Sequence, residues 1–311
     1  MPLINNDLKI VEFFRKNFKE VENKLRKKRI VIIYGGFSEE RGTSIESGSS
    51  VYKELKKNGF KTIKIDPSQR NFIPLLNKKV DLVFNCLHGS FGESGHLPAI
   101  LDYLKVPYTF SGVYASAVTM DKIYFKSIAK KLGFNCPLDN LDKDKLSKKQ
   151  TRFIYKKIRG GSSKGMRIVD TIRPKNGCFV EEFVDGNFLT MGIFEQKGSF
   201  YPLGIVSFIA REREFYDEAA KYQGLYKYSK YSGANAEKIR EISIKVSDFL
   251  DIKGAARLDF IEKDSQLFLL EINSVPGIYP KSNLACSARL ANFSYYELLV
   301  WILNNAGYSK L

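Results

Sequence analysis

The feature that most constrains how this chain folds is the alternation over its first 114 residues. Short strand-like runs, RIVIIYGG (29–36), KTIKID (61–66), VDLVFNCLHG (80–89) and VPYTFSG (106–112), are separated by segments of helical pattern, one of them from about Ser44 to Asn58. Strands that alternate with helices imply a parallel sheet covered on both faces. Ligands bind such sheets at the carboxyl ends of the strands, which here are the loops GGFSEER (35–41) and HGSFGESG (88–95). Glu39 and Glu40 fit ordinary solvated acids, but Glu40, beside the C-terminal end of a parallel strand, is placed to hold a substrate ammonium. Thr43 and Glu46 fit a capping box for the helix that follows. His88 follows an apolar strand, where a lone histidine is more often structural.

From about Ala115 the character changes. A helix through MDKIYFKSIAKKLGF (120–134) leads to RFIYKKIRGGSSKGMRIV (152–169) and CFVEEFVDGNFLTMGIFEQ (178–196), each patterned as an antiparallel strand pair joined by a glycine-rich loop. A third part opens near Gly198 with FYPLGIVSF, passes a tyrosine-rich loop (211–232) and a helix (234–250), forms a hairpin and closes with a helix after Ser294. The expected organisation is α/β: an N-terminal helical arm (1–28), a parallel-sheet domain (29–114), a central domain (115–197) and a C-terminal domain (198–311).

The hairpin, ARLDFIEKDSQLFLLEINSVPG (256–277), carries the chemistry. With strands at 256–262 and 266–273 and a three-residue turn at Lys263, Asp264 and Ser265, Glu262 pairs with Gln266 and Arg257 falls opposite Glu271. Asp259 and Asn273 then share that face, and Leu258, Phe260, Phe268, Leu270 and Ile272 face the core. A two-residue turn would slip the register by one and split the polar set. Two carboxylates, an amide oxygen and a guanidinium on one sheet face are costly unless a charge sits among them. A hard divalent cation such as Mg²⁺ suits oxygen ligands, and an arginine beside it neutralises a developing oxyanion. A solvated Arg–Glu pair explains two such residues, not four followed by Val275-Pro276-Gly277.

RGGSSKG (159–165) offers backbone N–H groups, hydroxyls and bases for polyphosphate, although a plain hairpin turn has the same pattern. There is no Walker A loop or G-x-G-x-x-G fingerprint, and no G-x-S-x-G on a strand-to-helix elbow, since GSSKG (161–165) lies between two strand-like runs. With 50 Lys and Arg against 34 Asp and Glu the net charge is +16, which could serve nucleic acid, a membrane surface or anionic substrates. The lysines are spread over helix faces and loops, and no aromatics interleave with them as nucleic-acid stacking requires. Cys86, Cys136, Cys178 and Cys286 form no C-x-x-C pair, so neither a zinc site nor a disulfide framework is expected, and a reducing cytoplasm is the default. No stretch reaches roughly 18 apolar residues, so no membrane span is expected.

Taken in order, GGFSEERGTS, NCLHGSFGESGHLPAILDYLKVPYTFSGVYASAVTMDK, KKIRGGSSKGM, VEEFVDG, REFYDEAAKY, GAARLDFI and LLEINSVPG resemble the D-alanine–D-alanine ligase family of ATP-grasp enzymes, from about residue 29 to the C-terminus. The resemblance implies an ATP-grasp fold: a Rossmann-like N-terminal domain, and two α+β domains clasping ATP between antiparallel sheets. It implies ATP-dependent joining of two D-alanines through a D-alanyl phosphate for peptidoglycan precursors, in a cytoplasmic homodimer. Alternatives are a related ligase with another acceptor, giving a depsipeptide or mixed dipeptide, and, from the charge, a nucleic-acid-binding protein on the same scaffold.

By the same resemblance, Asp259, Glu271 and Asn273 are ligands of two Mg²⁺ ions, for which Mn²⁺ could substitute, with Glu271 bridging. Arg257 and the Gly277 N–H stabilise the tetrahedral oxyanion. Lys122 and Lys156 contact phosphates, Glu181 and Val184 recognise adenine, and Lys221 meets the γ-phosphate. Glu40 binds the first D-alanine's ammonium, His88 neighbours that substrate, and Ser282 contacts the second carboxylate. Ser162 and Tyr222 join Glu40 in orienting the substrates. The chain departs from the family pattern at Phe188, where an acid for the ribose is usual, at Lys157-Ile158, Gly42-Thr43 and Asn283, and in its N-terminal arm.

Overall fold

The computed structural model describes residues 7–68, 71, 73, 80–146, 152–161, 165–172, 177–210 and 226–309. The arm forms two helices, α1 (Asp7–Lys16) and α2 (Phe18–Arg26). The parallel-sheet region follows with β1 (Arg29–Ile33), α3 (Arg41–Lys57), β2 (Lys61–Ile65), β3 (Leu82–Asn85) and α4 (His96–Tyr103). Next come α5 (Val113–Met120), α6 (Lys122–Lys131), the single turn α7 (Lys143–Leu146), β4 (Phe153–Lys157), β5 (Arg167–Val169) and β6 (Cys178–Glu182). The rest comprises β7 (Asn187–Gln196), β8 (Ser199–Ala210), β9 (Tyr226–Lys230), α8 (Ala236–Phe249), β10 (Ala255–Lys263), β11 (Gln266–Asn273), α9 (Asn283–Leu290) and α10 (Tyr295–Asn304).

The first sheet runs β2-β1-β3, all parallel. Its middle strand, RIVII, buries every residue after Arg29, as a strand covered on both faces must. The expected fourth strand shrinks to one parallel bridge, Val83 to Tyr108. Helix α3 starts at Arg41 with Glu40 as N-cap, earlier than a capping box at Thr43 requires.

The central sheet is β5-β4-β6 and the C-terminal sheet β11-β10-β7-β8-β9. Thus 152–169 is an antiparallel pair as expected, but 178–196 is not. Its first half, β6, pairs with β4, and its second half, β7, crosses to the other sheet between β8 and β10. The apolar run of β7, buried from Leu189 to Glu195, fits a central strand covered on both sides.

Helix α9 lies directly on β7 and β8 because Gly192 and Gly204 have no side chains there. A Cβ on Gly204 would sit 2.4 Å from Leu290 Cβ. The Ser287 hydroxyl fills the gap, donating to the Gly204 carbonyl (2.5 Å) and accepting the Gly192 N–H (2.8 Å). The arm packs on this side too. Phe14 is 1% exposed and meets the rings of Phe194, Tyr201, Phe293 and Trp301 at centroid distances of 4.5 to 5.8 Å, while Arg15 pairs with Glu297 at 2.8 Å. What the sequence marks as an appendage is therefore part of the core.

Candidate active site

The β10–β11 hairpin turns on two residues, not three. Asp264 and Ser265 both have positive φ (48° and 61°), and Lys263 pairs with Gln266. Such a turn matches the twist of the flanking strands. Near the tip this register buries Leu267 and Leu269 in place of Phe268 and Leu270. A bulge between Asp259 and Phe260 then takes up one residue, so Asp259 stands opposite Glu271 and Arg257 opposite Asn273, rather than Arg257 opposite Glu271. Directly opposed residues share a face. The four polar groups therefore converge after all, because slip and bulge add to a shift of two residues, which restores the face.

Arg257 grips Asp259 with both arms, Nε to Oδ1 at 2.9 Å and a terminal nitrogen to Oδ2 at 2.8 Å, and lies 3.7 Å from Glu271 Oε1. Thr190 donates to Asp259 Oδ1 at 2.5 Å. Asn273 Oδ1 accepts the Val275 N–H at 3.0 Å and keeps a second lone pair. The described residues hold no cluster of three His, Cys, Asp or Glu. Two carboxylates and an amide oxygen, without nitrogen or sulfur, suit Mg²⁺ or Mn²⁺ when substrate oxygens complete the shell.

Lys122 enters from the first turn of α6, whose N-cap Asp121 accepts the Ile123 and Tyr124 N–H groups. Its Nζ donates to the Gly160 carbonyl at 2.5 Å. Burial holds its pKa below the ordinary lysine value despite the opposing pull of Glu271, Glu181 and Glu40, with Lys156 acting in the same sense as burial. Lys156, on β4, is hydrogen bonded to Glu181 on β6. Burial alone would raise the Glu181 pKa, but Lys126 and Lys156 hold it below the usual carboxylate value. Lys126, 1% exposed, lies 3.3 Å from Glu181 Oε2 and donates to the Leu269 carbonyl at 3.1 Å, tying the two antiparallel sheets together. Val184 is buried just beyond β6.

Glu40 is buried at the head of α3. A Cβ on Gly161 would sit 3.0 Å from Glu40 Oε1, so the glycine loop passes against this carboxylate. Lys157, the last residue of β4 before that loop, meets the neighbouring Glu39. His88 is buried with both ring nitrogens engaged, Nε2 by Ser47 Oγ (3.0 Å) and Nδ1 by Glu93 Oε1 (3.1 Å). It approaches a small cavity through Glu93, which lines it. Gly277 follows the hairpin, and a Cβ on it would sit 3.9 Å from Ser282 Cβ. Ser282 is buried as the N-cap of α9, accepting the Ala285 N–H.

Glu93, Lys122, Gly160, Gly161, Glu271 and Asn273 all line one small cavity of about 30 Å³. A much larger one, about 1320 Å³, runs along β4 past Lys156, Lys157 and Arg159 but touches none of the hairpin carboxylates. In the small cavity opposite charges meet, Lys122 with Glu93 and Glu271. Ser162, Lys221 and Tyr222 lie outside the described residues. Sequence reasoning missed Ser47, Glu93 and Lys126. Only Lys126 had a signal, its i,i+4 spacing from Lys122 on one helix face.

Residues 147–304 match the family described as D-ala D-ala ligase C-terminus. The chain is 35% identical over 294 residues to the D-alanine–D-alanine ligase of Aquifex aeolicus, covering 88% of this chain and 99% of the relative. It is 34% identical to that of Pelagibacter ubique, with 91% and 99% covered. Among solved structures, the Bacillus anthracis D-alanine–D-alanine ligase superposes with a TM-score of 0.73 at 27% identity, covering 89% of this chain and 97% of that one. A structure of the same enzyme complexed with ATP gives 0.73 at 25% identity.

Proposed function

The chain belongs to the D-alanine–D-alanine ligase family, and on that premise we propose how its residues join two D-alanines: ATP + 2 D-alanine → D-alanyl-D-alanine + ADP + phosphate. It is an ATP-dependent ligase of peptidoglycan precursor synthesis. The observation that carries the residue assignment is the meeting, around one cavity, of Lys122, the Gly160–Gly161 backbone, Glu271 and Asn273, with Glu40 against Gly161.

In the first step the carboxylate of one D-alanine attacks the γ-phosphate and ADP leaves. Lys122, Lys156 and Lys221 bind the phosphates, and Glu181 and Val184 hold adenine. Asp259, Glu271 and Asn273 would hold two Mg²⁺ ions, which supply positive charge to the transferring phosphoryl group. Glu40 holds the first D-alanine's ammonium. In the second step the amine of the other D-alanine, its carboxylate near Ser282, attacks the acylphosphate. Arg257 and the Gly277 N–H meet the oxyanion, and Ser162 and Tyr222 help orient the substrates.

No helix among the described residues is long and apolar enough to cross a membrane. A cytoplasmic homodimer belongs to the same proposal. Four free cysteines suit a reducing compartment, and light scattering on the purified protein tests the dimer. The decisive experiment for the site is Glu271→Gln. Its ADP release in Mg²⁺ and D-alanine is expected to vanish while its circular dichroism is unchanged. Near wild-type release at saturating Mg²⁺ would overturn the assignment.

A further inference from the structure

Helix α3 buries a hydroxyl that neither step above uses. Ser47 is fully buried, its Oγ 3.0 Å from His88 Nε2, and it accepts the Ile278 N–H at 3.3 Å. His88 Nδ1 stands 3.1 Å from Glu93 Oε1. An ionised carboxylate only accepts, so Nδ1 donates to Glu93. We assign the Ser47 O–H as donor to Nε2, with its oxygen accepting from the Ile278 N–H. Ile278 N–H, Ser47, His88 and Glu93 thus form a row with one direction and no unsatisfied member.

The row leads from the parallel-sheet region to the backbone beside the oxyanion. Ile278 follows Gly277, and its carbonyl is held from the other side by the Tyr295 hydroxyl at 3.1 Å. Gly277 has no Cβ to restrict its dihedrals, so the direction of its N–H depends on how firmly the next peptide is anchored. Ser47 anchors that peptide through the Ile278 N–H, and Tyr295 holds the carbonyl of the peptide after it.

We propose that Ser47 is a positioning residue for ligation: it couples the His88–Glu93 pair to the Gly277–Ile278 turn and so aims the Gly277 N–H at the developing oxyanion. This rests on the role given to Gly277 above. In that step the amine nitrogen bonds to the acylphosphate carbon and the carbonyl π pair moves onto oxygen. Collapse then breaks the carbon–oxygen bond to phosphate, which leaves with the bonding pair, and the amine loses its extra proton to solvent. The phosphoryl transfer before it puts no negative charge on that carbonyl oxygen. Loss of Ser47 should therefore slow the second step and spare the first.

The test is Ser47→Ala, which removes one atom from a packed site, with Ser47→Thr restoring the hydroxyl. Steady-state ADP release is measured beside scrambling of ¹⁸O between the bridging and non-bridging β,γ positions of ATP, which reports reversal of the first step. An ångström of misplacement can cost about 10²-fold. Ser47→Ala is expected to lose roughly ten- to a hundredfold in kcat with an unchanged KM for ATP and more scrambling per turnover, and Ser47→Thr to recover most of the rate. The chain has only two histidines, so ¹⁵N spectra with His96→Gln as the assignment control read the His88 ring directly. A protonated Nδ1 and bare Nε2 are expected in the wild type, with the Nε2 signal alone moving in Ser47→Ala. An unchanged ratio of scrambling to turnover in Ser47→Ala, or a protonated Nε2 in the wild type at neutral pH, overturns the proposal. A wild-type protein that makes no D-alanyl-D-alanine would instead remove the ligase reading, and the nitrogen spectra report the hydrogen-bonded row independently of it.

Discussion

Arg257 and Asp259 make a prediction in which stability and catalysis move apart. The two side chains are 12% and 6% exposed and share two hydrogen bonds of 2.8 and 2.9 Å. Arg257→Ala leaves the Asp259 carboxylate with the Thr190 hydroxyl as its hydrogen-bond donor among the described residues. A buried charge stripped of its partner typically costs about 3–5 kcal/mol. On the role proposed for Arg257, the same substitution also removes an oxyanion-stabilising group, a loss of about 10²–10³ in kcat. Adding Asp259→Asn removes the stranded charge. The double variant should regain about 2 kcal/mol or more of stability over Arg257→Ala, since residues in direct contact couple by amounts of this order. It should remain inactive, because the guanidinium and the proposed metal ligand are both gone. Trp301 is the sole tryptophan and 5% exposed, so its fluorescence during urea unfolding in EDTA reports the C-terminal part directly. Mg²⁺ should then stabilise Arg257→Ala more than wild type, since the cation replaces the missing charge beside Asp259. A loss below about 1 kcal/mol in Arg257→Ala, well under the buried-pair range, or a double variant no more stable than the single one, would refute the account of this pair.

Phe14→Ala should destabilise the fold by about 3–5 kcal/mol, the usual cost of emptying an aromatic core site, while leaving the KM for ATP unchanged; a surface-like change in the urea midpoint would show that the arm is not core. Ser265→Gly should stabilise the hairpin by a few tenths to about 1 kcal/mol, because Ser265 sits at φ 61° where glycine is free of strain; a loss of stability on thermal melting would contradict the two-residue turn. Asp66 is desolvated, which favours its neutral form, but Arg41 and the Gly36 and Ser68 N–H groups outweigh this and hold its pKa below the usual carboxylate value. A folded-state pKa below the unfolded one contributes stability that is present above about pH 4 and lost as pH falls further. Asp66→Asn should therefore flatten the fall in stability below pH 4, and added salt should shrink the difference because Arg41 is 39% exposed; an unchanged acid limb would argue against the pair.

The sequence by itself determined which chemistry was present and roughly on what elements. Alternating β-branched and helical runs fixed a parallel sheet with its loops at one end, since burial on both faces leaves a pattern that is local in the chain. The hairpin put Arg257, Asp259, Glu271 and Asn273 together because side-chain alternation is also local. Register is not local in that sense. The turn length and the bulge each shift it by one, only their sum is functional, and the core exchange of Phe268 and Leu270 for Leu267 and Leu269 shows that one of them alone is felt. The tertiary structure alone decided that β7 leaves β6 for the other sheet, because a strand's partner depends on which exposed edge is available once the helices have packed. It alone seated Phe14 among four distant aromatic rings. The same holds for His88, whose two nitrogens are satisfied by Ser47, 41 residues away, and Glu93, five residues away. A histidine's role follows from what its ring nitrogens meet, and those partners come together only when the chain closes on itself.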